Sequence, residues 1–138
     1  MYLEASTAAR GFSSTAKLVS KKMKAIPSPN VCFLTMWYHM KGTGVGSLEI
    51  KKQSDGAFTF LYPTLFSRSG DQGDMWRNVT VDLYTSFYSF YGFTVSIEAV
   101  GLYSFSSDIA IDDVIFSPAC SQYFVGIQTA QLTFDCSM

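Results

Sequence analysis

The feature that most limits the fold of this chain is a series of short apolar segments separated by clusters of turn-forming residues. Gly, Pro, Asn, Asp and Ser are concentrated between these segments, as in the stretches PSPN, KGTGVG and SRSGDQGD. No segment keeps an apolar face at helical spacing for more than about two turns. The pattern therefore predicts an all-β protein, an antiparallel β-sandwich or barrel. The predicted strands are 16–20, 31–40, 46–52, 58–67, 75–84, 93–101 and 108–116.

The size and charge of the chain narrow the possible function classes. Its 138 residues, 48% hydrophobic and 16% aromatic, are sufficient for one folded domain with a substantial core. The formal net charge of −1 lacks the basic excess that binding to nucleic acid or to an anionic membrane surface requires. No apolar run is long enough to span a membrane, and the residues after Met1 lack the features of a signal peptide. We therefore expect no nucleic-acid partner and no membrane span in this chain.

Three carboxylates interrupt the apolar strand segment 108–116, DIAIDDVIF. At a strand period of two, Asp113 falls on the face that carries the isoleucines, whereas Asp108 and Asp112 fall on the opposite face. An unpaired carboxylate among isoleucines costs several kcal/mol, so hydrogen-bond donors or a cation should be present. Two interpretations stay open. Either Asp113 is a hydrogen-bonded structural residue, or the three carboxylates hold a hard cation such as Ca²⁺ or Na⁺.

Aromatic residues are concentrated in the stretch 83–93, LYTSFYSFYGF. Phe87, Tyr88, Phe90 and Tyr91 bring more aromatic area than one face of a strand usually buries. These side chains either pack in the core or form an exposed patch that binds a partner, because exposed aromatic clusters mark interfaces.

Asn78, Val79 and Thr80 form the acceptor triplet for N-glycosylation. The triplet lies in a predicted strand, so a glycan on Asn78 requires that its side chain point away from the core. Such a site is consistent with an exported protein.

Catalytic chemistry has little support in the sequence. His39 is the single histidine, and neither an acid nor a nucleophile stands beside it at a motif spacing. A Ser or Cys nucleophile needs a positioned base. We therefore expect that this chain is not an enzyme.

Three stretches are specific sequence motifs in a defined order along the chain: WYHMKGTGVGSLEI, LFSRSGDQGDMWRNVTVDL and GFTVSIEAVGLYSFSSDIAIDDVIFSPAC. Together they resemble the MAM domain, the module shared by meprins, neuropilins and receptor tyrosine phosphatases. The opening YLEASTAARGFSSTAKLVS is also similar to the family's early segment, so the resemblance covers about residues 1–120. It implies an antiparallel, jelly-roll-like β-sandwich that occurs in the extracellular parts of proteins and has no chemistry of its own.

The resemblance also assigns individual residues. Cys32 and Cys120 match the family's later cysteine pair, which implies a disulfide that closes a loop of about ninety residues and is worth roughly 4 kcal/mol. Cys32 precedes Trp37 by five residues, one more than in the family pattern, which puts the two side chains on opposite strand faces unless a β-bulge intervenes. The carboxylates of 108–116 match the family's DIAIDD motif, near which some members hold a cation. Cys136 is left over and points to a partner elsewhere.

The family pattern suggests domain boundaries. We expect residues 1–120 to form a sandwich without the family's first strand, because the family's opening acidic residue and first cysteine pair would precede Tyr2. Residues 121–138 are then a C-terminal tail or the start of a following domain. The tail either opens a second, truncated copy of the module or adds itself to the sheet edge that the missing strand exposes. In the second case Asp135 would replace the missing acidic residue near Asp112.

The expected function follows from the resemblance. The chain is expected to be an extracellular or cell-surface module that mediates protein recognition or cell adhesion, homophilic or heterophilic, within a larger receptor or secreted protein. Its parent is then either secreted or membrane-anchored, and an export signal would lie outside the sequence shown. The alternatives are a carbohydrate-binding jelly-roll module, in which Trp37 and Trp76 stack on sugar rings, and an accessory domain of an ectoprotease.

Overall fold

A computed structural model of the chain describes residues 2–4, 14–54, 63–84, 91–102, 108–126 and 135–137. The described part contains β-strands and one short 3-10 helix, Pro118–Tyr123. The strands are β1 Tyr2–Glu4, β2 Ser14–Val19, β3 Phe33–Lys41, β4 Val45–Ser54, β5 Thr64–Ser69, β6 Arg77–Asp82, β7 Phe93–Gly101, β8 Asp108–Phe116 and β9 Asp135–Ser137.

These strands form two antiparallel sheets. The four-stranded sheet has the order β1-β8-β3-β6, and the five-stranded sheet has the order β5-β4-β7-β2-β9. Every recorded strand pair is antiparallel. The predicted all-β, jelly-roll-like antiparallel sandwich is therefore confirmed.

The core lies between the sheets, where every second residue of the central strands is buried. In β3, for example, Leu34, Met36, Tyr38 and Met40 are each at most 4% exposed. This alternation arises because successive strand residues point to opposite faces of a sheet. β7 confirms the period-two pattern of its sequence with a buried face, formed by Phe93, Val95, Ile97 and Ala99.

The strand boundaries agree with the sequence prediction to different degrees. The predicted strands 93–101 and 108–116 coincide with β7 and β8. The predicted strand 58–67 corresponds to β5, which begins at Thr64, and residues 55–62 lie outside the described part.

The predicted placement of Asp113 among buried isoleucines is wrong, and a β-bulge is the reason. The pairing of β3 with β8 changes register, because Thr35 pairs with Ile115 whereas Trp37 pairs with Asp112. Asp113 has φ of 49°, a left-handed conformation that Asp adopts more readily than most residues. The extra residue turns Asp113 to solvent and leaves Ile115 57% exposed.

A disulfide joins the residue directly before β3 to the 3-10 helix. Cys32 and Cys120 are both fully buried, and their Cα atoms are 4.9 Å apart. Cys32 faces the core, whereas Trp37, an odd number of residues away, lies on the outer face of the sheet. Burial alternates regularly from Cys32 to Trp37, so no bulge is needed between them.

The C-terminal segment lies at a sheet edge. β9 pairs with β2, so that Asp135 stands opposite Val19 and Cys136 opposite Leu18. Asp112 belongs to the other, four-stranded sheet. The two acidic residues are thus in different layers of the sandwich, which does not support the expectation that Asp135 lies near Asp112.

Candidate recognition face on the four-stranded sheet

The outer side of the four-stranded sheet carries a ladder of cross-strand pairs. β3 supplies one residue of each pair, and β6 with the residues before it supplies the other. From one end to the other, the rungs are Thr35 with Thr80, Trp37 with Asn78, His39 with Trp76, and Lys41 with Asp74. We call these eight residues the ladder face.

The ladder face is aromatic at its centre because of strand alternation. The two neighbours of Trp37 in sequence, Met36 and Tyr38, point into the core, so the indole of Trp37 must lie outside. Trp37 is 40% exposed and Trp76 is 48% exposed. On its other side Trp37 is paired with Asp112 of β8. The two half-exposed indoles lie on neighbouring rungs, and the ladder-face residues beside them are polar.

The loop of residues 70–76 positions Asp74 and Trp76. It turns at two glycines with positive φ, Gly70 at 74° and Gly73 at 86°, a conformation in which residues with a Cβ are strained. The backbone N–H of Gln72 donates to the Met40 carbonyl at 2.8 Å, which ties the loop to β3. The Gln72 carbonyl accepts two hydrogen bonds from the guanidinium of Arg77, at 3.1 and 3.0 Å.

The charged end of the ladder face is held together by Asp74. Its carboxylate lies 3.0 Å from His39 Nε2 and 2.8 Å from Lys41 Nζ. The hydrogen bond from Lys41 is the main reason that the pKa of Asp74 is lowered, and the same bond raises the pKa of Lys41. The His39 ring also packs against Trp76, with 5.5 Å between ring centroids and 50° between the ring planes. His39 therefore connects Asp74 at the charged end of the ladder face to Trp76 at its aromatic centre.

The predicted metal ligands do not converge. In the described part of the chain, which includes all three aspartates of β8, no group of three or more His, Cys, Asp or Glu residues is arranged to hold a metal ion. Asp112 and Asp113 are exposed, and the Asp112 carboxylate accepts a hydrogen bond from the Asp113 backbone N–H at 2.8 Å. Asp108 is half-buried where β8 pairs with β1 and with Lys41 of β3. The Asp112 carboxylate thus caps a backbone N–H group of the bulge.

Two other predicted sites have different outcomes. Asn78 is exposed on β6, directly opposite Trp37, so its side chain meets the geometric condition for a glycan acceptor. Phe87, Tyr88 and Phe90 lie outside the described residues. Tyr91, the last of the four predicted interface residues, is half-buried.

The outer side of the five-stranded sheet has a different chemical character. It carries a shallow recess of about 390 Å³ lined by charged side chains and Thr64. Lys51 Nζ lies 3.0 Å from Glu49 and 2.7 Å from Glu98, and Lys17 Nζ lies 3.1 Å from Glu98. Burial alone would raise the pKa of Glu98, but the hydrogen bonds from Lys51 and Lys17 outweigh it and lower that pKa. The charges on this side are paired with one another.

A buried lysine is the residue that sequence reasoning missed. Lys52 is 1% exposed, and its Nζ donates a hydrogen bond to the Leu83 carbonyl at 2.7 Å. The same Nζ lies 4.2 Å from the centroid of the Phe93 ring. The alternation of β4, in which Leu48 and Ile50 point inward, would have identified Lys52 as an inward residue.

None of the helical structure in the described ranges has the length and apolar character needed to cross a bilayer.

Comparison with known proteins gives one consistent family. The family model described as "MAM domain, meprin/A5/mu" matches residues 1–121. Thyroid hormone-induced protein B of Xenopus laevis is 33% identical over 116 residues, which cover 84% of this chain and 16% of that protein. Neuropilin-1 of Xenopus laevis is 36% identical over 84 residues, 61% of this chain and 9% of that protein. MAM domain-containing protein 2 of Homo sapiens is 32% identical over 118 residues, 84% and 16% respectively.

The chain therefore spans less than one fifth of the length of these relatives. Among solved structures, one described as "CBM4 structure and function" covers 84% of this chain and 80% of its own chain, with 16% identity and a TM-score of 0.42. A likeness at that level carries no inference about ligands.

Proposed function

Because this chain belongs to the MAM domain family, meprin/A5/mu, we propose that it is an extracellular, non-catalytic recognition module of a larger receptor or secreted protein. The buried disulfide between Cys32 and Cys120 is consistent with an oxidising, extracellular environment. In this proposal the partner is a protein, and it binds at the ladder face.

The observation that carries the proposal is the pair of half-exposed tryptophans at the centre of the ladder face. Trp37 and Trp76 are 40% and 48% exposed, and the neighbouring Met75 is 53% exposed. Ile115, which the bulge turns outward, lies across from Thr35 on the same sheet and is 57% exposed. Large apolar side chains grouped on one face of a soluble domain mark interaction sites.

The arrangement around the tryptophans has the usual composition of a protein interface. Aromatic residues are enriched in interface cores, where a few of them supply most of the binding free energy. Here the rim contains Lys41, Asp74 and Asp112, which offer charges of both signs to a partner. We expect the indoles to contribute affinity and the rim charges to contribute orientation and association rate.

The test is a binding assay with the full 138-residue chain on beads. Homophilic recognition would appear as bead aggregation, and heterophilic recognition as binding of the beads to cells. The double variant Trp37→Ala/Trp76→Ala should lose either activity. A matched control, Val31→Ala/Val125→Ala, removes apolar side chains of similar exposure, 47% and 46%, that lie outside the ladder face and should leave binding unchanged.

Two results would contradict the proposal. One is binding that survives the tryptophan substitutions but is lost in the valine control. The other is an absence of protein binding by the wild-type chain in both formats. Repeating the assay with EDTA shows whether a divalent cation contributes to binding.

A carbohydrate ligand is the second candidate, because the same two indoles are suitable for stacking on sugar rings. They share one sheet face, with Trp76 two residues before Asn78 and Trp37 opposite it. Binding of the chain to a glycan array, with loss in Trp37→Ala and without bead aggregation, would favour this function over protein recognition.

A further inference from the structure

We propose that Asn78 carries an N-linked glycan whose first sugar packs on the indole of Trp37 and covers the centre of the ladder face. In this view the recognition face has two forms, covered and open, and the occupancy of Asn78 sets their ratio. The regulatory part rests on the proposed function, since the covered face is the one proposed to bind protein. The packing of the sugar on the indole does not depend on it.

The position of Asn78 is the first observation. Asn78, Val79 and Thr80 form an acceptor triplet, and the side chains of Asn78 and Thr80 are exposed while Val79 packs against the core. The acceptor side chain therefore lies on the outer side of the sheet, where an oligosaccharide has room. Thr80 keeps its own partner, since its hydroxyl lies 3.0 Å from that of Thr35.

The surroundings of Asn78 are the second observation. Trp37 is its direct cross-strand partner, and in antiparallel pairs such residues have their Cβ atoms about 4.5–5.5 Å apart. Trp76 stands two residues earlier and packs at a tilt against His39 of the next rung. Residues two apart in an extended chain share a face and are separated by about 6.6 Å. The acceptor thus has both tryptophans of the chain as neighbours on its face, one across from it and one two residues before it.

The chemistry of the first sugar suits this setting. The axial C–H bonds of N-acetylglucosamine form an apolar ring face with partial positive charge, and the face of an indole carries partial negative charge. A ring attached through the Asn78 amide lies within reach of the neighbouring indole, so no long-range ordering is needed. Packing there removes apolar area of both groups from water.

The covalent step needs a lipid diphosphate-linked oligosaccharide as donor. The Asn78 Nδ2 atom attacks the anomeric carbon of the first sugar, and a new N–C bond forms as the bond from that carbon to the diphosphate oxygen breaks. The amide loses one proton to a base of the transferase, and the lipid diphosphate leaves. The amide nitrogen keeps one hydrogen, and no atom changes its oxidation state overall.

The test begins with secretion of the full 138-residue chain from mammalian cells behind an added signal peptide. Mass spectrometry should find a glycan on Asn78, which Asn78→Gln removes and Thr80→Ser retains. After the glycan is trimmed to a single N-acetylglucosamine, NMR should show its N-acetyl methyl signal shifted upfield by the indole ring current. The shift should disappear in Trp37→Ala and be partly retained in Trp37→Phe.

A relocated glycan is the matched control. Ser67→Asn in an Asn78→Gln background places an acceptor before Arg68 and Ser69 on β5, an exposed strand of the sheet that carries neither tryptophan. A sugar there should show an unshifted methyl signal. In the bead assay, the glycan on Asn78 should abolish the ladder-face binding that the same wild-type chain shows when it is made in bacteria without a glycan. The relocated glycan should leave binding equal to that of the unglycosylated Ser67→Asn/Asn78→Gln chain.

The outcomes separate the two proposals. A secreted chain without a glycan on Asn78, or with an unshifted methyl signal, overturns the inference about the sugar. A shifted signal with equal binding by the glycosylated and unglycosylated forms of the wild-type chain overturns the regulation. If no form binds any protein while the shift is present, the proposed function fails and the sugar packing stands.

Discussion

Lys52 provides a quantitative test of the core. Its Nζ is buried between the Leu83 carbonyl and the Phe93 ring, and burial lowers its pKa from 10.5 to about 8, although the nearby Asp82 opposes this shift. The perturbation is Lys52→Met, which keeps a long unbranched side chain but removes the titrating group. The prediction concerns how the stability difference between wild type and variant depends on pH.

The sign and size of the effect follow from proton linkage. Between pH 8 and 10.5 the unfolded chain binds a proton at Lys52 that the folded protein releases, so wild-type stability rises with pH across this window. Below pH 8 both states are protonated, and this contribution is constant. The pKa values imply that the wild type gains about 2.5 kcal/mol between pH 7 and pH 10 relative to a variant without the group.

Urea unfolding at 25 °C at several pH values measures this difference, because titrations common to both proteins cancel. Lys51→Met is the matched control. Lys51 is adjacent in sequence but faces the other side of β4, where the hydrogen bonds that it donates to Glu98 and then to Glu49 raise its pKa. A raised pKa contributes stability that is fully present below pH 10.5 and is lost only above it. The stability difference between wild type and Lys51→Met should therefore stay constant between pH 7 and pH 10.

A stability difference between wild type and Lys52→Met that is independent of pH would refute this reasoning. It would mean that the Lys52 ammonium is solvated or paired with a carboxylate in the folded protein. A rise of similar size in Lys51→Met would also refute it, since the effect would then not depend on burial.

Three further predictions concern the disulfide, the bulge and the ladder face. Replacing both Cys32 and Cys120 by Ala should lower the free energy of unfolding by about 4 to 5 kcal/mol, the loop-closure value for a separation of 88 residues. Urea unfolding measures this difference when the variant is compared with the wild type, once with its disulfide intact and once with it reduced. Asp113→Gly should stabilise the protein by up to about 1 kcal/mol because its φ is positive, and a lower melting temperature would contradict this. Asp74→Asn should weaken the interactions with His39 and Lys41 and so make the Trp76 indole more accessible to solvent. Acrylamide quenching of indole fluorescence should then increase, and unchanged quenching would contradict the role of Asp74 in positioning the ladder face.

Much of the fold was accessible from the sequence because strand alternation is a local property. The segments 93–101 and 108–116 alternate or run apolar between clear turn signals, and both became strands with the predicted bounds. The regular alternation of 31–40 also places Trp37 and His39 on one outer face. Which residues stand opposite them depends on the register of β3 with β6, and a single sequence does not specify that register.

The orientation of Asp113 could not be predicted from strand alternation alone. A strict period of two assigned Asp113 and Ile115 to the buried face, but one extra residue in β8 reversed that assignment for both. Two consecutive aspartates inside an apolar strand were a possible signal of the bulge, because Asp accepts positive φ and its carboxylate caps nearby N–H groups. Sequence alone left two interpretations open, a hydrogen-bonded structural Asp113 or a cation held by Asp108, Asp112 and Asp113, and neither of them included a bulge.

The most direct test of the recognition face uses its two tryptophans, since the chain contains no others. Both indole N–H signals can be followed by NMR on the unglycosylated chain as a protein partner, or the chain itself at rising concentration, is added. We expect both indole signals to shift or broaden in step with binding measured on beads. Saturable binding that leaves both indole signals unchanged would contradict it.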